Sequence, residues 1–164
     1  MGVENDYFRA PDAAAVVRAL EETDTGPLVG VADPVFDGIS TKGVDPAVVF
    51  GQLIAIIKSV PWSVDIVAST MVWPTSPMPG PEGPEDDDDP WATGPWVEEF
   101  SDSVRDILAS VPDPDVQDAV VAWSQTDELR GTSPDDLRPL ADVLIELARQ
   151  ARDAGEHLYC WTCL

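Results

Sequence analysis

The last segment of the chain, residues 157–164, has the sequence HLYCWTCL. Apolar residues occupy both alternating sets of positions, whereas a strand with one face in water alternates apolar and polar residues. Before this segment, Ser133-Pro134 marks the start of a long amphipathic helix and Gly155 marks its end. We therefore expect a closing helix followed by a strand buried in the middle of a sheet.

The first part of the chain carries shorter apolar patterns. Residues 3–10 predict a short strand. A helix is expected from Asp12 to about Glu22, because apolar residues recur there at helical spacing. The β-branched runs 28–32 and 35–39 are consistent with small strands or extended loop.

A second helix is expected to start at Asp45-Pro46. An Asp side chain can accept hydrogen bonds from the first free N–H groups, and Pro suits the first helical position. From Asp45-Pro46 to about Val60, apolar residues cover nearly the whole circumference of the predicted helix, so we place the helix in the interior. The β-rich run from Val64 to Trp73 is a second candidate for a central strand.

Two further helices are predicted before the closing one. Pro95 marks the start of the first, whose apolar residues follow helical spacing. These residues are Val97, Phe100, Val104, Ile107, Leu108 and Val111. The next helix is expected from about residue 115 to about residue 130, and Gly131 ends it.

Residues 74–95 interrupt these patterns with prolines and glycines, which exclude a helix or a paired strand through most of the segment. We interpret 74–95 as a Pro/Asp-rich loop inserted into a single domain of residues 1–164, because the amphipathic helices after it need the earlier elements to cover them. The predicted fold class is α+β, with about five helices packed on a small mixed β-sheet and the C-terminal strand central.

The net charge restricts the possible partners. The chain has 31 acidic and 9 basic residues, a net charge of −22, of which residues 81–164 contribute −16. Such a field repels phosphate backbones and anionic membrane surfaces, so we expect neither nucleic acid nor membrane as a partner. A basic protein partner, a cation, or a surface that serves only solubility remain.

The sequence also suggests where the protein resides. Charged residues from Glu4 to Asp12 interrupt any signal-like apolar run, and the longest apolar stretch, Pro46 to Ile57, is too short to span a bilayer. We expect a soluble, cytoplasmic protein with reduced cysteines.

Cys160 and Cys163 suggest a redox or metal motif at first sight. If residues 157–163 form a strand, however, cysteines three positions apart point to opposite faces, with Cα atoms about 10 Å apart. A disulfide bridges Cα atoms up to about 7 Å apart, and thiols on opposite faces cannot share a metal ion. We interpret both as buried structural cysteines.

No catalytic motif is present in the sequence. The only histidine, His157, would face away from Cys160 on a strand, and no nucleophile elbow, glycine-rich phosphate loop or zinc-protease motif occurs. Carboxylate pairs are too abundant to single out a site. We expect no catalytic residue, no metal site and no cofactor.

The loop carries the candidate binding residues. Three tryptophans, Trp73, Trp91 and Trp96, flank a run of four carboxylates. The carboxylates are Asp86, Asp87, Asp88 and Asp89. Aromatic anchors with a charged rim are typical of protein interfaces. For the tryptophans, the alternative is that they fold back and pin the loop to the domain. For the acidic run, the alternatives are a solvated charge cluster and a cation site.

The layout resembles the YfbM-like group of uncharacterised bacterial proteins. The shared features are a Met-Gly start, the Tyr7-Phe8 strand, a helix start at Val44-Asp45, and a closing helix before the strand that follows Gly155. The resemblance implies an α+β domain and no known activity. The family has Trp and His in the second helix where this chain has residues 48–51, VVFG, so no site is carried across.

These observations predict a non-catalytic acidic binding protein that engages a basic protein surface, such as an immunity-type inhibitor or a regulatory partner. The alternative is a small hydrolase-like enzyme that uses Asp/Glu carboxylates in a pocket, which requires carboxyl groups with raised pKa values. Mimicry of nucleic acid by the acidic face is a third possibility and would require regularly spaced carboxylates.

Overall fold

A five-stranded β-sheet forms the centre of the computed structural model, which describes residues 2–164. The strands are β1 (Glu4–Ala10), β2 (Gly38–Lys42), β3 (Ser69–Trp73), β4 (Trp96–Phe100) and β5 (His157–Cys163). Their order across the sheet is β2-β1-β5-β4-β3. The predicted central position of the C-terminal strand is confirmed. The predicted mixed sheet is wrong, because β5 runs opposite to both its neighbours and the outer pairs are antiparallel too.

Six helices accompany the sheet. They are α1 (Ala13–Glu22), α2 (Val49–Lys58), α3 (Pro90–Thr93), α4 (Asp102–Ala109), α5 (Asp113–Ser124) and α6 (Pro134–Ala154). The predicted α+β class is confirmed, and the one helix beyond the predicted number is α3, a single turn inside the loop. Within residues 2–164, no helix combines the length and apolarity that a membrane crossing requires.

The sheet separates two hydrophobic cores. One contains α2, α4, α5 and α6, together with Leu158 and Cys160 of β5. The other contains α1, together with Tyr159 and Trp161 of β5. Alternate residues of a strand point to opposite faces, so β5 enters both cores at once. This explains why its sequence is apolar at successive positions.

Side chains and a glycine define several helix ends as predicted. Asp12 Oδ1 accepts the N–H of Ala15 at 2.8 Å, and Ser133 Oγ accepts the N–H of Asp136 at 3.2 Å. Both bonds satisfy donors that have no partner within the helix. Gly155 ends α6 with φ +67°, a conformation that favours glycine.

The second helix starts later than predicted. Asp45 Oδ1 accepts the N–H of Val48 at 2.7 Å, as its sequence position suggested, but the next residues form a turn and α2 begins at Val49. Ile56 and Ile57 are half-buried, so the predicted interior placement is correct for only part of the helix surface.

The predicted helix from Pro95 is wrong over its first third. Residues 96–100 form β4, and α4 begins only at Asp102. Val97 lies in the α1-side core and Phe100 in the opposite core. A spacing of three can therefore arise from a strand whose two faces are both covered.

Three other expectations need correction. Only the end of the run 64–73 is a strand, and β3 lies at the edge of the sheet because β5 occupies the centre. Residues 28–32 form bends, although Leu28 and Val29 fill the α1-side core. The helix expected to reach about residue 130 ends at Ser124, where turns follow.

Candidate functional site

The loop 74–95 joins the antiparallel strands β3 and β4. Pro74 and Pro95 at its two ends are buried, and Trp73 is half-buried against the α1-side core. The prolines and glycines between these ends prevent regular pairing, so the loop extends beyond the sheet edge. Its geometry is set by hydrogen bonds from its own side chains.

Two of the four aspartates fold the loop. Asp89 Oδ1 accepts the backbone N–H of Trp91 at 2.8 Å and caps α3, in which Pro90 is the first residue. Asp86 Oδ1 accepts the N–H of Asp88 at 3.0 Å. Asp86, Asp87 and Asp88 are exposed. Nowhere in residues 2–164 do three His, Cys, Asp or Glu side chains form a group that could hold a metal ion.

Trp91 and Trp96 hold the loop together through their indole N–H groups. Trp91 Nε1 donates to Ser76 Oγ at 3.0 Å, which ties the second limb of the loop to the first. Trp96 Nε1 donates to the carbonyl of Trp91 at 3.2 Å. Each indole is half-buried. These bonds tie the loop to itself and to the start of β4, and part of each ring stays open to contact.

A groove of about 600 Å³ runs between β3 and the loop. Its lining consists of Ser69, Thr70, Met71, Val72, Pro74, Thr75, Ser76, Met78 and Trp91. Met78 is 64% exposed, and two of the three methionines in the chain lie here. Flexible, polarizable Met side chains are common where a surface must adapt to a partner. The groove contains Trp91 among the predicted residues, while Trp73 and Trp96 lie outside its lining.

Four consecutive residues of β3, Ser69 to Val72, line the groove, and β3 is the outermost strand on this side of the sheet. The strand pairs with β4 on its other side. No backbone hydrogen bond of residues 2–164 beyond that ladder involves residues 69–73. An edge of this kind presents a row of N–H and C=O groups available for pairing.

The electrostatic character of this region is uniform. Between Lys58 and Arg105 the chain has ten acidic residues and no basic one. Glu98 lies on β4 beside the groove and accepts a hydrogen bond from Ser69 Oγ at 2.8 Å. Burial raises the pKa of the Glu98 carboxyl, and the Ser69 hydrogen bond offsets part of that effect. Within this segment, no Lys or Arg side chain competes with a basic ligand for the carboxylates.

A second groove, which the sequence did not indicate, lies between the end of α2 and the start of α5. It measures about 530 Å³ and has an apolar floor that includes Ile56, Ile57 and Val111, with Lys58 and Asp115 among its polar residues. Its only sequence signal was the apolar surface around α2, part of which remains uncovered. The rim here mixes both signs of charge.

The two cysteines lie on opposite faces of the sheet, as predicted. Cys160 is buried in the helix-rich core, but Cys163 is only half-buried, where it packs against the α1-side core. Both are free thiols. Burial raises the pKa of the Cys160 thiol, which keeps it in the unreactive neutral form.

His157 is paired at a corner of the sheet. Its Nδ1 lies 2.7 Å from Asp102 Oδ1, and Arg105 contacts the same oxygen at 3.1 Å. The side chain lines neither of the two grooves described above. This contact joins the start of α4 to the start of β5.

The hydrolase alternative requires carboxyl groups with raised pKa in a pocket. The two carboxyl groups whose pKa burial raises are Asp6 and Glu98. Neither lines one of the two grooves described above. Asp6 is 1% exposed, and its Oδ1 has no hydrogen-bond partner. These positions give the enzymatic alternative no support.

Asp6→Asn is expected to increase stability at neutral pH. Burial raises the pKa of Asp6 above its ordinary 3.8, and a hydrogen bond from Ser40 offsets part of the effect. A raised folded-state pKa means that ionisation destabilises the fold, so the benefit of Asn is absent below about pH 3.8 and grows as pH rises through the raised pKa. Urea unfolding of both proteins from acid to neutral pH measures the difference. A constant difference across this range would contradict the assignment to Asp6.

Comparison with known proteins gives no family. No family model matches the chain, and neither a curated protein nor a solved structure shows significant similarity. The resemblance to the YfbM-like group therefore stays a prediction. The function must be inferred from the surface itself.

Proposed function

We propose that the chain is a non-catalytic acidic binding protein that engages a basic protein surface through the loop 74–95 and the groove beside β3. The observation that carries this proposal is the segment between Lys58 and Arg105, which forms both walls of the groove and has ten acidic residues and no basic one. Inhibition of a basic enzyme, as by an immunity-type protein, and regulation of a basic partner are the two roles that fit this chemistry.

Apolar contact and charge act together at this surface. Trp91, Met71 and Met78 offer the apolar anchors that account for most binding energy in interfaces. Asp86, Asp87 and Asp88 are exposed in the same loop, outside the lining of the groove. Charges around an interface accelerate association with an oppositely charged partner and disfavour acidic competitors.

Hydrogen bonds within the loop fix its shape before binding. Asp89 caps α3, Trp91 bridges the two limbs through its 3.0 Å bond to Ser76, and Trp96 joins the start of β4 to Trp91 through a 3.2 Å bond. A surface fixed in advance loses less conformational entropy on association. The pinning role of the tryptophans thus supports a binding role instead of competing with it.

Selection from a display library of short random peptides tests the proposal. The wild-type protein is expected to enrich basic peptides, and raising the salt concentration from about 0.02 M to about 0.5 M should weaken their binding. A variant that neutralises the aspartate run should bind the enriched peptides at least about ten-fold more weakly. It carries Asp86→Asn, Asp87→Asn, Asp88→Asn and Asp89→Asn. Asn is also a good helix cap, so α3 is preserved.

A second variant with the same net charge is the control. It neutralises four exposed carboxylates elsewhere on the chain, namely Glu21→Gln, Glu22→Gln, Asp33→Asn and Asp153→Asn. This variant should keep most of the affinity. Equal losses in both variants would show that total charge matters and the loop does not. Enrichment of neutral or acidic peptides by the wild-type protein would overturn the proposal.

A further inference from the structure

We propose that the partner binds as an added strand: an extended basic segment pairs with the outer edge of β3 and lies in the groove against Trp91 and Met78. This inference rests on the proposed function and specifies how the same surface recognises its partner. Strand addition requires an unpaired sheet edge for the main chain and pockets for alternate side chains. The groove beside β3 offers both.

The edge of β3 is open along its whole length. Ser69 and Thr70 are exposed, and Met71 to Trp73 are half-buried. The strand contains neither Lys nor Pro, which commonly protect edges from pairing. The other edge strand, β2, carries Lys42, 76% of whose side chain is exposed. The two edges therefore differ: β2 carries an exposed lysine, whereas β3 has neither Lys nor Pro, has an irregularity only between Met71 and Trp73, and borders a groove.

The pairing surface is short, and this explains the role of the loop. A register shift between Met71 and Trp73 disturbs the regular pairing of β3 with β4. Only about three residues of the edge, from Ser69 to Met71, continue the regular ladder. So short an edge gives few main-chain hydrogen bonds, each contributing about 1 kcal/mol net. Contact with Trp91 and Met78 on the opposite wall supplies the remaining affinity.

Charge selects a basic segment over a second copy of this chain. Edge-to-edge pairing of two β3 strands would bring together two copies of net charge −22 and their acidic loops. Like charges at short range oppose such a dimer. Alternate residues of an added partner strand point to opposite faces of the sheet. Lys or Arg side chains on one face would be directed at the carboxylates of the loop, and apolar side chains on the other face would contact Met71.

Synthetic peptides test this binding mode. The probe is an alternating lysine–valine peptide of about eight residues, compared with a basic amphipathic helical peptide of equal charge. Two further versions of the probe carry backbone N-methyl groups on every lysine or on every valine. Because an added strand pairs through one of its two edges, at least one of these versions should bind about ten-fold more weakly.

Amide hydrogen exchange locates the bound peptide. Addition of the probe should slow exchange of at least one amide of residues 69–73 by about ten-fold, while amides of β2 stay unchanged. Met78→Ser should weaken probe binding, whereas Val64→Ser should not. These two side chains are 64% and 65% exposed, so neither variant is expected to affect folding, and Val64 lies outside the groove.

The outcomes separate the binding mode from the function. If both N-methylated versions bind as tightly as the unmethylated probe, if the helical peptide binds more tightly, or if exchange in β3 is unchanged, strand addition is overturned and the proposed function stays intact. Failure of every basic peptide to bind at low salt would remove both. Slowed exchange in β3 together with sensitivity to N-methylation establishes the added strand.

Discussion

Removal of residues 157–164 is expected to abolish the folded state. β5 pairs with β1 on one side and with β4 on the other, so its loss divides the sheet into two hairpin-like pairs. Isolated pairs of strands are marginal in water. Leu158, Tyr159 and Trp161 are each at most 4% exposed, and burial of such side chains contributes roughly 1.5–3 kcal/mol apiece. This sum is comparable with the whole stability of a domain, about 5–15 kcal/mol.

Circular dichroism and amide NMR spectra measure the effect. The truncated chain should lack dispersed amide signals and a cooperative thermal transition. Deletion of Leu164 alone, which is 74% exposed, is the control and should leave both intact. A cooperative transition in the truncated chain would contradict the central role of β5.

Trp123→Ala is expected to lower the free energy of unfolding by about 3–5 kcal/mol. Trp123 is fully buried in the helix-rich core, and its Nε1 donates to the carbonyl of Val49 at 2.8 Å. The substitution leaves a cavity and removes the partner of a carbonyl at the start of α2. Trp123→Phe keeps much of the volume but not the hydrogen bond, so a smaller loss of roughly 1–3 kcal/mol is expected. Urea unfolding measures both.

Trp62→Ala is the matched control. Trp62 also donates its indole N–H to a backbone carbonyl, that of Ala47 at 3.0 Å, but it is 42% exposed. Its removal should cost about 1 kcal/mol, because water can replace the lost contacts. If the two alanine variants lost equal stability, burial of Trp123 would not be the source of its effect.

The predictions from sequence were most accurate for elements whose local pattern of residues is compatible with only one secondary structure. Residues of β5 are apolar on both alternating sets of positions, which indicates a strand that is covered on both faces. Ser133 and Gly155 bound α6 because a capping side chain and a left-handed glycine have local causes. Asp12 defined α1 for the same reason.

The prediction failed where the same pattern fits two structures. Val97, Phe100 and Val104 have helical spacing, yet Val97 and Phe100 belong to a strand with core on both faces. The choice depends on β5, which pairs with β4 from about sixty residues away in the sequence. Rules that consider only neighbouring residues cannot predict a pairing between strands so far apart in the sequence. Placement of β3 at the edge was missed for the same reason.

The candidate site was predictable in its composition but not in its shape. Trp91 and the run Asp86–Asp89 were identified because a proline-rich loop with tryptophans and carboxylates is unusual. Met71, Met78 and the open edge of β3 were missed, because a groove arises only when the loop folds beside the strand. The absence of basic residues between Lys58 and Arg105 was a signal available in the sequence.

The position of β5 has a consequence for biosynthesis. The strand that joins the two halves of the sheet is the last of the eleven elements to leave the ribosome. Until then β1 and β4 lack their shared neighbour, and both cores miss the side chains that β5 contributes. Contacts between such distant parts of a chain form slowly. The nascent chain therefore cannot complete this sheet, or fill either core, until β5 has been translated.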